Sequence, residues 1–203
     1  FKAVFANEVM CSVYSPAKST PNLCYTYDFL TKIYPPSETD DRVDAWFDEN
    51  IYSTLDGAPK EILKFENPDI YNDGGALTAN AGNQVVFRLA DAILLYAEAL
   101  ADLGTNDGKA CELLNRIRTR AGASTLSLSG DDLKDAIYWE RVRELMGEGH
   151  YFYDLVRTGK VCDNNYCYHP ITRSEFREGA WTWPISKTAQ ENNTLITLNN
   201  YWE

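Results

Sequence analysis

The chain has 203 residues, of which 44% are hydrophobic, and it carries a formal net charge of -11 at pH 7. This length allows one domain with a hydrophobic core, and the sequence contains no run of about 18 apolar residues of the kind that predicts a transmembrane helix. The negative charge argues against binding to double-stranded nucleic acid or to an anionic lipid surface, since both require basic patches.

Residues 1–83 predict a loop-rich region with a few short strands. FKAVF and VMCSVY alternate weakly between apolar and polar residues, as short strands do. DDRVDAWFDE predicts a short helix that turns Trp46 inward, and residues 66–83 are rich in Gly, Asn and Asp, which predicts a loop. The chain opens without Met in strand-like sequence, so we expect it to be a portion of a longer precursor.

Residues 84–203 predict one continuous helical region, because apolar residues there recur at helical spacing. Short turns between the helices imply antiparallel hairpins, and the hairpin around Gly104 resembles one tetratricopeptide unit. We therefore predict a mainly α fold of tetratricopeptide-like helical hairpins, with long irregular loops and a few short strands. The first two predicted helices are residues 84–103 and 107–121. A third follows Ser129, where the sequence resembles a capping box, and a short fourth ends at Gly159. The chain after Lys160 is predicted to be loop.

Glu140, Glu144 and Glu148 are spaced four residues apart, which predicts a stripe of carboxylates on one helix face. Two such carboxylates can hydrolyse a glycoside when they face one sugar ring. Ion pairing would instead keep them ionised, whereas a general acid needs a raised pKa. We therefore predict a structural role and no catalytic residue. The arginines available as partners are Arg116, Arg118, Arg120, Arg141 and Arg143.

The histidines and cysteines predict no metal site and no cofactor. His150 and His169 lack the spacing of metal ligands, and phosphate-binding glycine loops are absent from the sequence. Cys111 falls on a helix near its apolar face, which predicts a buried free thiol. The other four cysteines leave two disulfides open as an interpretation, Cys11 with Cys24 and Cys162 with Cys167.

Four C-terminal motifs resemble, in order, the signatures of the SusD/RagB family of outer-membrane nutrient-binding lipoproteins of Bacteroidetes-type bacteria. They are FRLADAILLYAEALADLG, LLNRIRTRAGA, IYWERVRELMGEGHYFYDLVRTGK and WPISKTAQENN. The resemblance implies helical hairpins that support long loops, a lipid anchor outside this chain, and a position on the outer face of the outer membrane. It also implies non-catalytic binding of oligosaccharides, polysaccharides or other nutrients for a SusC-like TonB-dependent transporter.

In that family, ligand-contacting aromatic residues come in part from the variable stretch before the first C-terminal helix, which is roughly residues 20–83 here. Tyrosine and tryptophan suit sugar binding because they combine a flat apolar ring with a polar group. We considered two alternatives, a helical protein-docking module without its own sugar site and a glycoside hydrolase. The predicted ligand-binding residues are Tyr34, Tyr71, Tyr27, Tyr52 and Asn72.

Overall fold

The computed structural model describes most of the chain from residue 85 onward and parts of the sequence before it. The described residues form two compact units, one within residues 2–151 and the other within residues 152–203. The strands predicted before residue 25 and the loop predicted at residues 66–83 lie outside the described residues, so the predicted boundary at residue 83 stays a prediction. The described residues are 25, 27–47, 51–52, 64, 85–193 and 195–203.

The described residues are mainly helical, which confirms the predicted fold class. Their longest helices are two of 15 residues each. In chain order the helices are α1 (Tyr27–Ile33), α2 (Asp41–Trp46), α3 (Leu89–Leu103), α4 (Asp107–Arg120), α5 (Gly130–Glu144), α6 (His150–Arg157), a 3-10 turn at Lys160–Cys162, α7 (Arg173–Glu178) and α8 (Lys187–Asn192).

Helices α3, α4 and α5 pack on one another around an apolar core, as the hairpin prediction requires. Gly104 ends α3 with φ 62°, a left-handed conformation that a side chain would strain. Ala97 on α3 and Ala110 on α4 are completely buried, and such small side chains let helix axes approach closely. The larger core residues that are fully buried are Leu94, Leu114, Leu133 and Ile137, each stabilising the fold by about 1.5–3 kcal/mol.

Two predicted helix ends and one predicted capping bond were wrong. Helix α3 begins at Leu89 rather than at residue 84. Helix α5 begins directly after Ser129, as predicted, but the Ser129 side chain makes no capping hydrogen bond. Helix α5 ends at Glu144, so Glu148 does not extend it as the four-residue spacing predicted. Gly147 and Gly149 adopt positive φ angles of 77° and 84° in the turn that follows α5, which only glycine adopts without strain.

The second unit corrects two expectations about the C-terminal part. Beyond Lys160 the chain is partly helical rather than only loop, and α7 begins with a capping box made by Thr172 and Glu175. Cys162 and Cys167 are free thiols, so the disulfide interpretation is wrong for this pair. The Cys162 sulfur faces the Thr172 carbonyl, at 4.0 Å, while Cys167 is buried. The pair of Cys11 and Cys24 lies outside the described residues.

Candidate functional site

The carboxylates of Glu140, Glu144 and Glu148 lie in one buried ion-pair cluster within the first unit. Glu140 and Glu144 are completely buried, and the Glu148 side chain is 1% exposed. Burying unpaired charges would be strongly unfavourable, so each carboxylate needs cationic partners. The cations of this cluster are Arg42, Lys64, Arg88, Arg118, Arg120 and Arg143.

Three guanidinium groups surround the carboxylate of Glu140. Its Oε2 atom accepts hydrogen bonds from Arg118 Nη1 at 3.1 Å and Arg143 Nη2 at 3.0 Å. Its Oε1 atom lies 2.8 Å from Arg42 Nη2, an ion-pair contact that lacks the alignment of a hydrogen bond. Burial acts to raise the pKa of Glu140, but attraction to Arg143, Arg42 and Arg118 outweighs it and lowers the pKa below its usual range.

Glu144 and Glu148 share Arg88 as a partner. Arg88 forms an ion pair with Glu144 Oε1, and its Nε donates to Glu148 Oε2 at 2.7 Å. Arg120 also pairs with Glu144, and Lys64 pairs with Glu148. Burial acts to raise the pKa of Glu148, but its hydrogen bonds to Arg88 and Lys64 and their charges lower the pKa overall. A carboxyl group held ionised in this way is poorly suited to serve as a general acid at neutral pH.

Arg42 is a member of the cluster that we did not predict. It is the second residue of α2 and is only 4% exposed. It binds Asp40 in bidentate fashion, with Nε to Oδ1 at 2.8 Å and Nη2 to Oδ2 at 2.7 Å. Its Nη1 reaches Glu144 Oε2 at 2.9 Å. The acidic and basic start of DDRVDAWF indicated a helix N-terminus, but nothing local in the sequence marks a partner on α5.

The arginines predicted as partners divide into three groups. Arg118 and Arg120 on α4 bind Glu140 and Glu144 on α5, as predicted, and Arg143 on α5 itself also binds Glu140. Arg141 turns away from this cluster and pairs with Asp91 on α3, with Nη1 2.9 Å from Oδ1. Arg116 is exposed on α4 and forms no ion pair with these carboxylates in the described part of the chain. The stripe of carboxylates therefore binds cations from α2, α4, α5 and the chain before α3, and not from α4 alone.

The predicted ligand-binding residues fall into three classes of exposure. Tyr27 is 41% exposed at the start of α1, and Tyr52 is partly buried, with a pKa raised by burial and by the negative charges of Asp40 and Asp44. Tyr34 is 2% exposed and its hydroxyl donates to the Arg143 carbonyl oxygen at 3.2 Å, so its ring belongs to the core and has no open face for a ligand. Tyr71 and Asn72 lie outside the described residues.

Other aromatic residues also differ from expectation. Trp46, predicted to turn inward, is partly buried and lies beneath two cations, with Lys64 Nζ 4.1 Å from the ring centre and Arg42 at 5.9 Å. Trp183 is 74% exposed.

The described part of the chain lacks two further features, a cluster of metal ligands and a membrane-spanning helix. There, His, Cys, Asp and Glu side chains do not gather into a group that could hold a metal ion. Among these same residues, none of the helices combines the length and the apolar composition needed to cross a lipid bilayer.

Sequence comparison identifies relatives of the chain. The sequence profile of the SusD family matches residues 61–202. A SusD-like protein, P25, of Formosa agariphila is 40% identical over 107 residues, which cover 50% of this chain and 20% of that protein. A second SusD-like protein of the same organism, P38, is 42% identical over 92 residues, 40% of this chain and 18% of its own length. The chain therefore spans about a fifth of these relatives.

Structural comparison agrees with the sequence. A SusD homologue from Bacteroides thetaiotaomicron superposes with a TM-score of 0.83 and 61% identity, over 92% of this chain and 40% of that one. Surface glycan-binding protein A from Bacteroides uniformis superposes with a TM-score of 0.62 over 91% of this chain and 43% of its own. The latter is 22% identical, so it supports the fold alone.

Proposed function

Because the chain belongs to the SusD family, we propose that it forms part of a non-catalytic cell-surface receptor for glycans or related nutrients. In this proposal an N-terminal lipid holds the whole protein on the outer face of the outer membrane. It passes its ligand to a SusC-like TonB-dependent transporter. The family match over residues 61–202 is the observation that carries the proposal.

The charge arrangement supports a scaffold role for the helices. The carboxylates that could have suggested a glycoside hydrolase are buried, and lowered pKa values keep Glu140 and Glu148 ionised. Hydrolysis of a glycoside needs one carboxyl group that is protonated and reaches the substrate. The proposed ligand contacts are therefore the aromatic residues before α3, namely Tyr27, Tyr52 and Tyr71 with Asn72, while Tyr34 is left out because it is buried.

Affinity gel electrophoresis against starch, xylan, pectin, laminarin and mannan tests the proposal. We expect at least one polysaccharide to retard the folded protein, and Tyr27→Ala, Tyr52→Ala or Tyr71→Ala to weaken the retardation. One aromatic stacking contact contributes about 0.5–1.5 kcal/mol, which corresponds to about two- to tenfold in Kd. Tyr168→Ala is the matched control, because Tyr168 is 83% exposed but lies in the second unit, outside the predicted ligand region.

Two outcomes would contradict the proposal. A folded protein that no polysaccharide retards would favour the alternative of a protein-docking module. Release of reducing ends from these polysaccharides, abolished by Glu144→Gln, would instead indicate a glycoside hydrolase, since Glu144 would then act on substrate rather than neutralise arginines.

A further inference from the structure

Helix α3 is apolar on nearly all of its surface. Of its 15 residues only Asp91, Glu98 and Asp102 are charged, and Asp91 is buried in its ion pair with Arg141. One face of α3 packs on α4 and α5 in the apolar core. A helix at the surface of a domain normally turns a polar face to water, whereas a helix that is hydrophobic all round is typical of one that is covered on every side. The composition of α3 therefore predicts a partner on its second face as well.

The face of α3 that is turned away from this core is exposed and carries a regular apolar stripe, here called the α3 stripe. Its members alternate between large and small side chains at spacings of three and four residues, which places them in one line along the helix. From first to last they span about 21 Å of the helix axis. The three large members are 66%, 53% and 72% exposed in chain order. The members of the stripe are Leu89, Ala92, Tyr96, Ala99 and Leu103.

The alternation of side-chain size favours another helix as the occupant of the α3 stripe. When helices pack through such a seam, large side chains of one helix enter the spaces between side chains of the other. Ala92 and Ala99 leave such spaces on either side of Tyr96, and small residues also let helix axes approach closely. Val86 and Phe87 extend the apolar surface beyond the start of α3, because both are exposed. Contiguous apolar surfaces of this kind are uncommon on soluble monomers and mark interaction sites.

The length and the charge of the chain indicate which helix covers the stripe. This chain spans 40% of the SusD homologue from Bacteroides thetaiotaomicron, so that relative has further residues able to supply a neighbouring helix, and repeated helical hairpins bury their outer faces on adjacent repeats. A second copy is a poorer occupant, because copies with a net charge of -11 repel each other. A lipid surface is also poorer, since interfacial helices carry Lys and Arg, whereas the charged residues of α3 are all acidic.

We propose that the α3 stripe is an interface inside the whole protein, covered by an amphipathic helix of the same polypeptide that lies outside these 203 residues. That helix presents an apolar seam whose large side chains fit over Ala92 and Ala99, on either side of Tyr96. Beside the seam it carries basic or neutral residues, because Glu98 and Asp102 border the stripe and would repel further acidic groups. The proposal depends on the family assignment and not on glycan binding, so failure of the affinity gels leaves it standing.

Photocrosslinking in the whole protein tests the proposal. The photoreactive amino acid p-benzoylphenylalanine is placed at position 96, isotope-labelled and unlabelled protein are mixed and irradiated, and mass spectrometry identifies the crosslinked peptides. We expect a crosslink within one chain, from position 96 to a peptide outside the 203 residues. Position 116 is the matched control, because Arg116 is exposed on the neighbouring helix α4 and a probe there should not reach that peptide. A crosslink between two copies, to another protein or only within these residues would overturn the proposal, as would no crosslink.

Thermal unfolding of Tyr96→Gln provides a second measurement. In the 203-residue chain this side chain is exposed, so the midpoint should change by less than about 2 °C, as is usual for surface substitutions. In the whole protein the new amide would be buried against an apolar helix, and the midpoint should fall by several degrees. Arg116→Gln is the control and should leave both midpoints unchanged. Equal shifts in the two proteins would overturn the proposal, and photocrosslinking decides the question if the shorter chain does not unfold cooperatively.

Discussion

Replacing Glu140 by glutamine tests whether the buried cluster contributes to stability as its geometry implies. Glu140→Gln preserves the side-chain shape but removes the charge that faces Arg42, Arg118 and Arg143. The new amide has one oxygen and one NH2 group, so one guanidinium that met an acceptor meets a donor instead. We expect the variant to be less stable, because the buried arginine charges are then no longer fully neutralised by carboxylates.

The free energy of unfolding should fall by about 3–5 kcal/mol, the usual result of removing one partner from a buried, hydrogen-bonded ion pair. Arg42 keeps Asp40 and Glu144, and Arg118 keeps its hydrogen bond to the Ser124 carbonyl, which favours the lower part of this range. Even so, the loss is a large fraction of the about 5–15 kcal/mol that stabilises a typical domain.

Urea unfolding followed by far-ultraviolet circular dichroism measures this difference through the midpoint and slope of the transition. Glu112→Gln is the control, because it breaks the ion pair of Lys109 with Glu112, whose side chains are 41% and 67% exposed. Exposed pairs of this kind contribute about 0.2–1 kcal/mol to stability. If the free energy of unfolding falls by the same small amount in both variants, below about 1 kcal/mol, the inference that Glu140 neutralises buried arginines is refuted.

The same variant has a characteristic response to acid. The pKa of Glu140 is lowered in the folded protein, so its contribution is present above the unfolded pKa, about 4.3, and is lost as the pH falls through the folded value. The stability difference between wild type and Glu140→Gln should therefore shrink below about pH 4. A difference that stays constant down to about pH 2 would show that the carboxylate charge is not its source.

Two further predictions concern Gly122 and Lys64. Gly122 adopts φ 66°, and a Cβ atom there would collide with the Asp41 carboxylate, whereas Gly104 adopts φ 62° in open space. Gly104→Ala should therefore lower the free energy of unfolding by about 1–2 kcal/mol through backbone strain alone. Gly122→Ala should lower it clearly more, and urea unfolding measures both. The pKa of Lys64 is lowered from 10.5 to about 8, so the unfolded chain binds more protons between these values. Relative to Lys64→Met, the wild type should therefore gain up to about 3 kcal/mol as the pH rises from about 8 to 10.5, and a relative loss would contradict this assignment.

Local sequence signals predicted the helical core well. Gly104 and Gly122 mark the ends of two helices, and the second prediction, residues 107–121, differs by one residue from the observed Asp107–Arg120. Apolar periodicity suffices there because α3, α4 and α5 follow one another in the chain and pack together. The sequence also predicted that arginines of α4 lie against glutamates of α5, and Arg118 with Glu140 is one such pair in the structure.

The ion cluster could be predicted only in part, because several partners lie far apart in the chain. Arg42 and Glu144 are separated by 102 residues and Lys64 and Glu148 by 84, and an i, i+4 pattern carries no information about such contacts. Tyr34 was proposed for ligand binding from its loop-like surroundings, yet it is buried and its hydroxyl donates to the backbone carbonyl of Arg143, 109 residues away. In contrast, the end of α5 had a local signal, since Gly147 lies between Glu144 and Glu148.

The charged cluster also determines how α2 docks on α5. An apolar contact tolerates small shifts, because hydrophobic burial has little directional preference. Arg42 instead reaches Glu140 and Glu144, one helical turn apart, while it binds Asp40 in a bidentate geometry. A displacement of α2 by about one turn, about 5.4 Å, would separate the guanidinium from these acceptors and leave buried charges unpaired. We infer that the cluster selects one register between α2 and α5.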